Sequence, residues 1–377
     1  LAVFLYLDRN KIQRHYILFY RRTERGIVFI DRVAKRAPKF WNYYGWTGVI
    51  TGLISIPISL GLILFVLQDM LVTGSVQNGP SLIFPGLVSE PQLNPGVSFL
   101  PIETWVIGIG ILMFVHEMSH GIVARTEDFE INSVGWIILG ILPGAFVEPK
   151  GENMLPGSEG SEDPETGMWE QGSWTQQLKV LGAGSFANYA TGLLFLLLAV
   201  GVTAGISQTE TRGYIGVQIT NQTPQGLTYQ AQQGYPTFDS GMRNGTLYRI
   251  NDIDITNASD LRRASETIDP GEEVTVVTSE GSFNLEAVEQ KFQVLNPGLP
   301  GGVPFWNWLL TLINTIGLLN ILIGLFNMLP AKPLDGGLMT ETLLKRYVPE
   351  RSEYINQFSL AIWALIITMI MATFIFG

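Results

Sequence analysis

Five long stretches without a single charged side chain constrain this sequence more than any other feature. They cover residues 40–68, 104–115, 180–209, 292–331 and 354–377. A bilayer core about 30 Å thick is crossed by about 20 mostly apolar residues rising 1.5 Å each. Each stretch is long enough, the second by continuing through His116 to Ala124. The expected fold class is a polytopic α-helical membrane protein, with spans at about 46–68, 104–124, 182–204, 305–329 and 355–376. Charged residues make up only 15% of the chain, against roughly 25% in soluble domains, which fits that class.

The charges orient the spans. Residues 8–39 hold ten of the 23 Lys and Arg, and basic residues beside a span stay on the cytoplasmic side. A nucleic-acid surface is the other reading of a basic run, but a flanking span and a net charge of −10 argue against any nucleic-acid partner. The basic segment, 1–45, is thus placed inside; its first residues, 1–7, read as the tail of a further span or as an interfacial stretch. Alternation puts a Gly/Pro/Ser-rich loop at 73–102 outside and a loop at 148–178 inside. Lys332, Lys345, Arg346 and Arg351 then fall inside, in agreement.

Two segments break the pattern of plain spans. Residues 131–147 are apolar but interrupted by Gly140, Pro143 and Gly144. Such a segment is expected to enter the membrane and return, its backbone paired with other protein. Residues 206–296 have ordinary charge density, alternating apolar residues and turn signals, as expected of a β-rich soluble domain. That domain divides the membrane domain into an N-terminal portion, residues 46–204, and a C-terminal portion, residues 303–377. The protein is expected to be a multi-pass protein of the cell membrane, with the lipid bilayer as its surroundings.

The chemistry concentrates in span two. The run FVHEMSHG spaces His116 and His120 four residues apart, one turn above each other on one helix face. That spacing lets two imidazoles hold one metal ion, with Glu117 beside it as general base toward water. Zinc suits this set, because it lowers the pKa of bound water to about 7. The plainer alternative is two histidines hydrogen-bonded within a helix bundle. Titratable groups at the centre of a span are costly, about 2.5–3.5 kcal/mol each for charged ones, so three together favour a metal.

A catalytic zinc usually takes three protein ligands. The chain has no Cys and only three His, the third being His15, so a carboxylate is expected. Asp335, in NMLPAKPLDGG at the end of span four, is the best-placed candidate. Pro330 and Pro333 stop a regular helix there. A plain Asp-Gly turn is the competing reading.

The intramembrane HExxH and the later NxxPxxxxDG (Asn327, Pro330, Asp335, Gly336) together resemble the site-2 protease family of intramembrane zinc metalloproteases, in its archaeal branch. GAFVEP at 144–149 is similar to that family's membrane re-entrant β segment. GAGSFANY at 182–189 looks like its small-residue, Asn-containing motif, with Ser185 where Pro is frequent. The resemblance implies one zinc per chain on His116, His120 and Asp335, with Glu117 activating water. It implies a role for Asn327 at the scissile carbonyl or oxyanion, interhelical bonding being the alternative. Asn188 reads as structural, among small residues suited to helix packing. Gly144, Phe146 and Val147 would hold an unwound substrate strand by β pairing.

Within 206–296, YIGV at 214–217, LYRINDIDI at 247–255 and ASDLRRASETI at 258–268 resemble the binding loop, central hairpin and helix of a PDZ domain. Gly216 would then belong to a peptide-binding loop. The expected function is hydrolysis of peptide bonds within or near transmembrane helices of membrane-protein substrates, as in regulated intramembrane proteolysis. The alternative is an inactive, membrane-anchored peptide-binding protein with a structural metal, for which Glu117 would have no use.

Overall fold

The computed structural model describes residues 12–16, 18–76, 79–88, 90–92, 96–139, 142–149, 172–223, 226–296 and 298–376. The expected tail of a span at 1–7, and most of the loop expected at 148–178, lie outside these. The chain divides into two compact units, Leu1–Gly201 with Trp308–Gly377, and Val202–Asn307.

In the first unit a short antiparallel pair, β1 (Gln13–His15) and β2 (Leu18–Thr23), leads into the amphipathic helix α1 (Glu24–Arg36) and then α2 (Pro38–Thr73). A parallel pair, β3 (Leu82–Gly86) and β4 (Val97–Pro101), precedes α3 (Ile102–Thr126). Next come β5 (Ile131–Leu139), β6 (Leu142–Pro149) and α4 (Trp174–Ile206).

Among the described residues five helices are long and apolar enough to cross a membrane: α2, α3, α4, Gly302–Asn327 and Tyr354–Phe376. They fall on the five expected spans and make this a membrane protein. Two are longer than expected, α2 starting at Pro38 and α4 at Trp174. An apolar window marks only the most apolar part of a helix, whereas the helix itself continues through polar flanks such as Asn42, which accepts from Lys179, and Gln176, which donates to the Glu127 carbonyl. Leu53, Ile54 and Phe65 on α2, and Leu193, Leu194 and Leu197 on α4, are exposed. Apolar faces of this extent suit lipid and not water. Where α2 and α4 cross, a Cβ added at Gly182 would lie 2.5 Å from the Gly48 carbonyl carbon. The helices therefore touch backbone to backbone, as small residues allow in membranes.

The segment expected to re-enter the membrane is an antiparallel hairpin, β5–β6, in a four-stranded sheet of order β1-β2-β5-β6. Helix α1 buries Ile30 and Ala34 against Ile122 of α3 and Ile131, Val134 and Val147 of the hairpin. Arg125, near the end of α3, hydrogen-bonds Asp31 of α1 through both Nε and Nη2. The helix carrying His116 and His120 is thereby fixed to the sheet.

The second unit holds β7 (Ser207–Tyr214), β8 (Val217–Thr223), β9 (Gly226–Ala231), the short α5 (Pro236–Asp239), β10 (Asn244–Ile250), β11 (Ile253–Asp254), α6 (Ala258–Ser265), β12 (Glu273–Thr278), β13 (Gly281–Glu286) and β14 (Val288–Leu295). The main sheet runs β13-β12-β10-β9-β8, with β11 paired to β10, while β7 and β14 form a separate ribbon. Alternation in β12 turns Val274 and Val276 inward onto Leu227, Tyr229, Met242 and Leu247. Asn251 turns the β10–β11 hairpin at φ 48°, a left-handed conformation that Asn tolerates.

After the second unit the chain returns through α7 (Gly302–Asn327), α8 (Asp335–Tyr347) and α9 (Tyr354–Phe376).

Candidate metal centre

His116 and His120 project from α3 with ring centroids 4.5 Å apart. Their Nε2 atoms are 3.0 Å from each other. Oδ2 of Asp335 lies 3.4 Å from the first and 3.3 Å from the second. Three ligand-type atoms thus close a triangle with sides of 3.0–3.4 Å. A tetrahedral zinc with bonds of about 2.0–2.1 Å would space its ligands by about 3.3–3.4 Å. The donor set, two imidazole nitrogens and a carboxylate oxygen, fits that ion.

Asp335 arrives by a tightly pinned turn. Helix α7 ends at Asn327, and the backbone of 328–334 is held by three side chains from two helices. Ser59 of α2 donates to the Met328 carbonyl at 3.2 Å. Ser359 of α9 accepts the Lys332 N–H, and Trp363 donates to the Lys332 carbonyl at 2.9 Å. Asp335 is then the first residue of α8, where a carboxylate also meets the helix's positive end. The two glycines after it are needed for contact: a Cβ at Gly336 would lie 2.2 Å from the Met328 carbonyl oxygen.

Asn327 joins the same cluster. Its Nδ2 donates to Asp335 Oδ2 at 2.7 Å and lies 3.2 Å from His116 Nε2. The amide can steady the carboxylate and present a donor beside the three converging atoms. Glu117 stands on the neighbouring side of α3, where its Oε2 accepts the Val147 N–H at 3.3 Å. That bond ties the general-base candidate to strand β6.

The rest of the cradle comes from α4, which sequence reasoning treated as a packing element. His120 Nδ1 is 2.7 Å from the Val180 carbonyl, and His116 Nδ1 is 3.1 Å from Asn188 Nδ2. Between them sits Gly184, where a Cβ would fall 2.3 Å from His120 Nε2 and 2.7 Å from His116 Cε1. Positions 180, 184 and 188 recur at four-residue spacing, so they share one helix face. GAGSFANY carried the signal in its small residues. The Val180 carbonyl, a main-chain group, carried none.

Of the residues expected to hold substrate, Gly144, Phe146 and Val147 all lie on β6, an edge strand of its sheet among the described residues. Phe146 and Val147 are buried. Gly216, in the second unit, has φ +88°, and a Cβ there would fall 2.1 Å from Tyr235 Cβ. Its carbonyl accepts the Gln232 N–H and the Thr237 hydroxyl. Its neighbours Ile215 and Val217, with Leu261, Ile268 and Phe292, line a cavity of about 340 Å³.

Comparison with known proteins places this site in a family. A protein of Methanocaldococcus jannaschii described as uncharacterized is 26% identical over 325 residues, covering 84% of this chain and 74% of that one. The model of peptidase family M50 matches residues 104–369, a range that takes in both histidines, Glu117, Asn188, Asn327 and Asp335. The chain belongs to peptidase family M50, the site-2 protease family of membrane metalloproteases.

Proposed function

We propose that this protein is a zinc-dependent intramembrane endopeptidase that cuts membrane proteins within or near their transmembrane helices. The observation that carries the reading is the triangle of His116 Nε2, His120 Nε2 and Asp335 Oδ2 beside Glu117, on a helix long and apolar enough to cross a bilayer. Zinc bound there would polarise the scissile carbonyl and bring the pKa of water in its open position to about 7. Glu117 takes the proton of the attacking water and passes it to the leaving amine. Asn327 keeps Asp335 in place and offers its N–H to the developing oxyanion. The helices around the site exclude bulk water, which strengthens each of these polar contacts.

Helical peptide bonds are shielded by their own hydrogen bonds, so a substrate must unwind before attack. The edge of β6, unpaired among the described residues, is suited to take the unwound strand by β-addition, in a register that follows from its hydrogen bonds. The Val147 N–H donates to Glu117 and so cannot face β5. Backbone groups of a strand alternate sides, so positions 143, 145, 147 and 149 turn outward. Pro143 and Pro149 lack an N–H, as edge prolines do without loss. The Ala145 N–H is then an outward-facing donor, flanked by the outward carbonyls of 143, 145 and 147. Gly144 and Phe146 turn their main-chain groups toward β5, which leaves the pairing of a substrate strand to the outward groups of the alternate positions.

The second unit is read as a PDZ-like module facing the outside of the cell membrane. Its groove between 215–217 and α6 is apolar, with Arg212 and Arg262 at its walls, a composition suited to an extended peptide end. The proposal is tested by reconstituting the purified protein with a single-span substrate in liposomes and measuring zinc and product termini together. About one zinc per chain and cuts mapping within or beside the span are expected. Absence of zinc after purification without chelator, or cuts confined to the soluble part, would overturn it.

A further inference from the structure

The two metal-facing histidines depend on α4 for the ring nitrogen turned away from the site. A carbonyl only accepts, so His120 carries its proton on Nδ1, toward Val180 at 2.7 Å, and its Nε2 is left bare. His116 is different. Its Nδ1 faces Asn188, whose side chain is fully buried, with Nδ2 at 3.1 Å and Oδ1 without a hydrogen-bond partner among the described residues.

In that orientation the amide donates to Nδ1, and the imidazole proton must sit on Nε2. It would then point into the triangle and block ligation. Turned by 180°, the nearly symmetric amide places Oδ1 where it accepts an Nδ1–H, and Nε2 becomes a bare lone pair. Each orientation leaves one end of the buried amide unpartnered, so the desolvation cost is similar. The demand of His116 decides between them. Two Nε2 atoms converging on one carboxylate oxygen at 3.3–3.4 Å can share an ion only if both are unprotonated.

We infer that Asn188 is a positioning residue whose side-chain oxygen accepts the Nδ1–H of His116, fixing the tautomer and ring orientation in which His116 ligates through Nε2. Asn188 and the Val180 carbonyl thus do for the two rings what the outer partners of metal-bound histidines do generally. One helix face, 180–184–188, supplies both acceptors, and Gly184 between them leaves room for the rings.

The inference rests on the zinc reading above, and the experiment separates the two. Zinc affinity of the full chain in detergent is measured by competition with a chromophoric chelator, using Zn²⁺ alone as probe. Asn188→Leu keeps the branched shape but removes the acceptor, and should weaken zinc by about 10–100-fold. Asn188→Asp can accept but not donate, and should bind at least as tightly as the native protein. A purely structural Asn188 would lose zinc in both variants or in neither, and either result overturns the assignment. The native chain gives an independent readout that needs no variant. It has only three histidines, so ¹⁵N-histidine spectra of the zinc-loaded protein should show both site rings protonated at Nδ1. A site ring protonated at Nε2 would refute the inference. If the native chain bound no zinc at all, the zinc reading itself would fall.

Discussion

The backbone N–H of Val147 donates to Oε2 of Glu117 at 3.3 Å, so the strand proposed to hold substrate and the group proposed to deprotonate water share a hydrogen bond. A substrate strand added along β6 would come within reach of the same N–H. Binding and base positioning are therefore coupled at one atom.

That relationship gives a test of the strand register. Ala145→Pro removes one outward N–H and leaves the ladder to β5 intact. One hydrogen bond is worth about 0.5–1.5 kcal/mol net, so kcat/KM should fall about 2- to 13-fold with zinc content unchanged. Phe146→Pro would instead remove an inward bond and disrupt the hairpin. Peptidase kinetics and metal analysis on the same preparations check this. An Ala145→Pro enzyme with native kcat/KM would rule out pairing at that position.

Gly184 offers a test of the cradle on α4. A valine there would push atoms into both imidazoles, since even its Cβ would fall 2.3 Å from His120 Nε2. Overpacking of this kind costs about 1–3 kcal/mol, which is about 5- to 150-fold in zinc affinity. Chelator competition reads the change directly, and helical circular dichroism should stay native.

Much of this was legible in the sequence because the signals are local. Spans announce themselves by missing charge, and His116, Glu117 and His120 sit within five residues on one helix turn. Asp335 needed a second motif, because its approach depends on a turn pinned by Ser59, Ser359 and Trp363, which no spacing rule ties to it. The Val180 carbonyl is invisible to side-chain patterns, and Asn188 looked like packing because its neighbours are small. The strand Leu18–Thr23 was hidden inside a basic run whose charges dominated the reading, although its register with β5 helps fix the hairpin. The parallel pair β3–β4 fell in a segment whose glycines and prolines read as loop.

The groove of the second unit should govern which substrates are cut. Leu261 lines it from α6, and Leu261→Asp puts a charge into the apolar wall without touching residues 116–120 or 327–335. Zinc content and cleavage of a short substrate lacking an ectodomain should be native, while the ratio of long-ectodomain to short-ectodomain cleavage changes. Equal loss on all substrates in a folded variant would contradict a sorting role. Gly216 is a poor site for this test, because any side chain there meets Tyr235.

Orientation can be measured cleanly because the native chain has no cysteine. A membrane-impermeant thiol reagent applied to intact cells should label Asp239→Cys and miss Arg22→Cys until the cells are opened. The reverse pattern would invert the side from which substrates are presented.

The central claim is that Glu117 is the base of a zinc peptidase, and the most direct measurement is zinc content and cleavage rate of Glu117→Gln beside the native protein. The account predicts about one zinc per chain in both, a native fold, and a cleavage rate lower by about 10²–10⁴-fold. A Glu117→Gln protein that holds its zinc and cuts the transmembrane substrate at the native rate would contradict it.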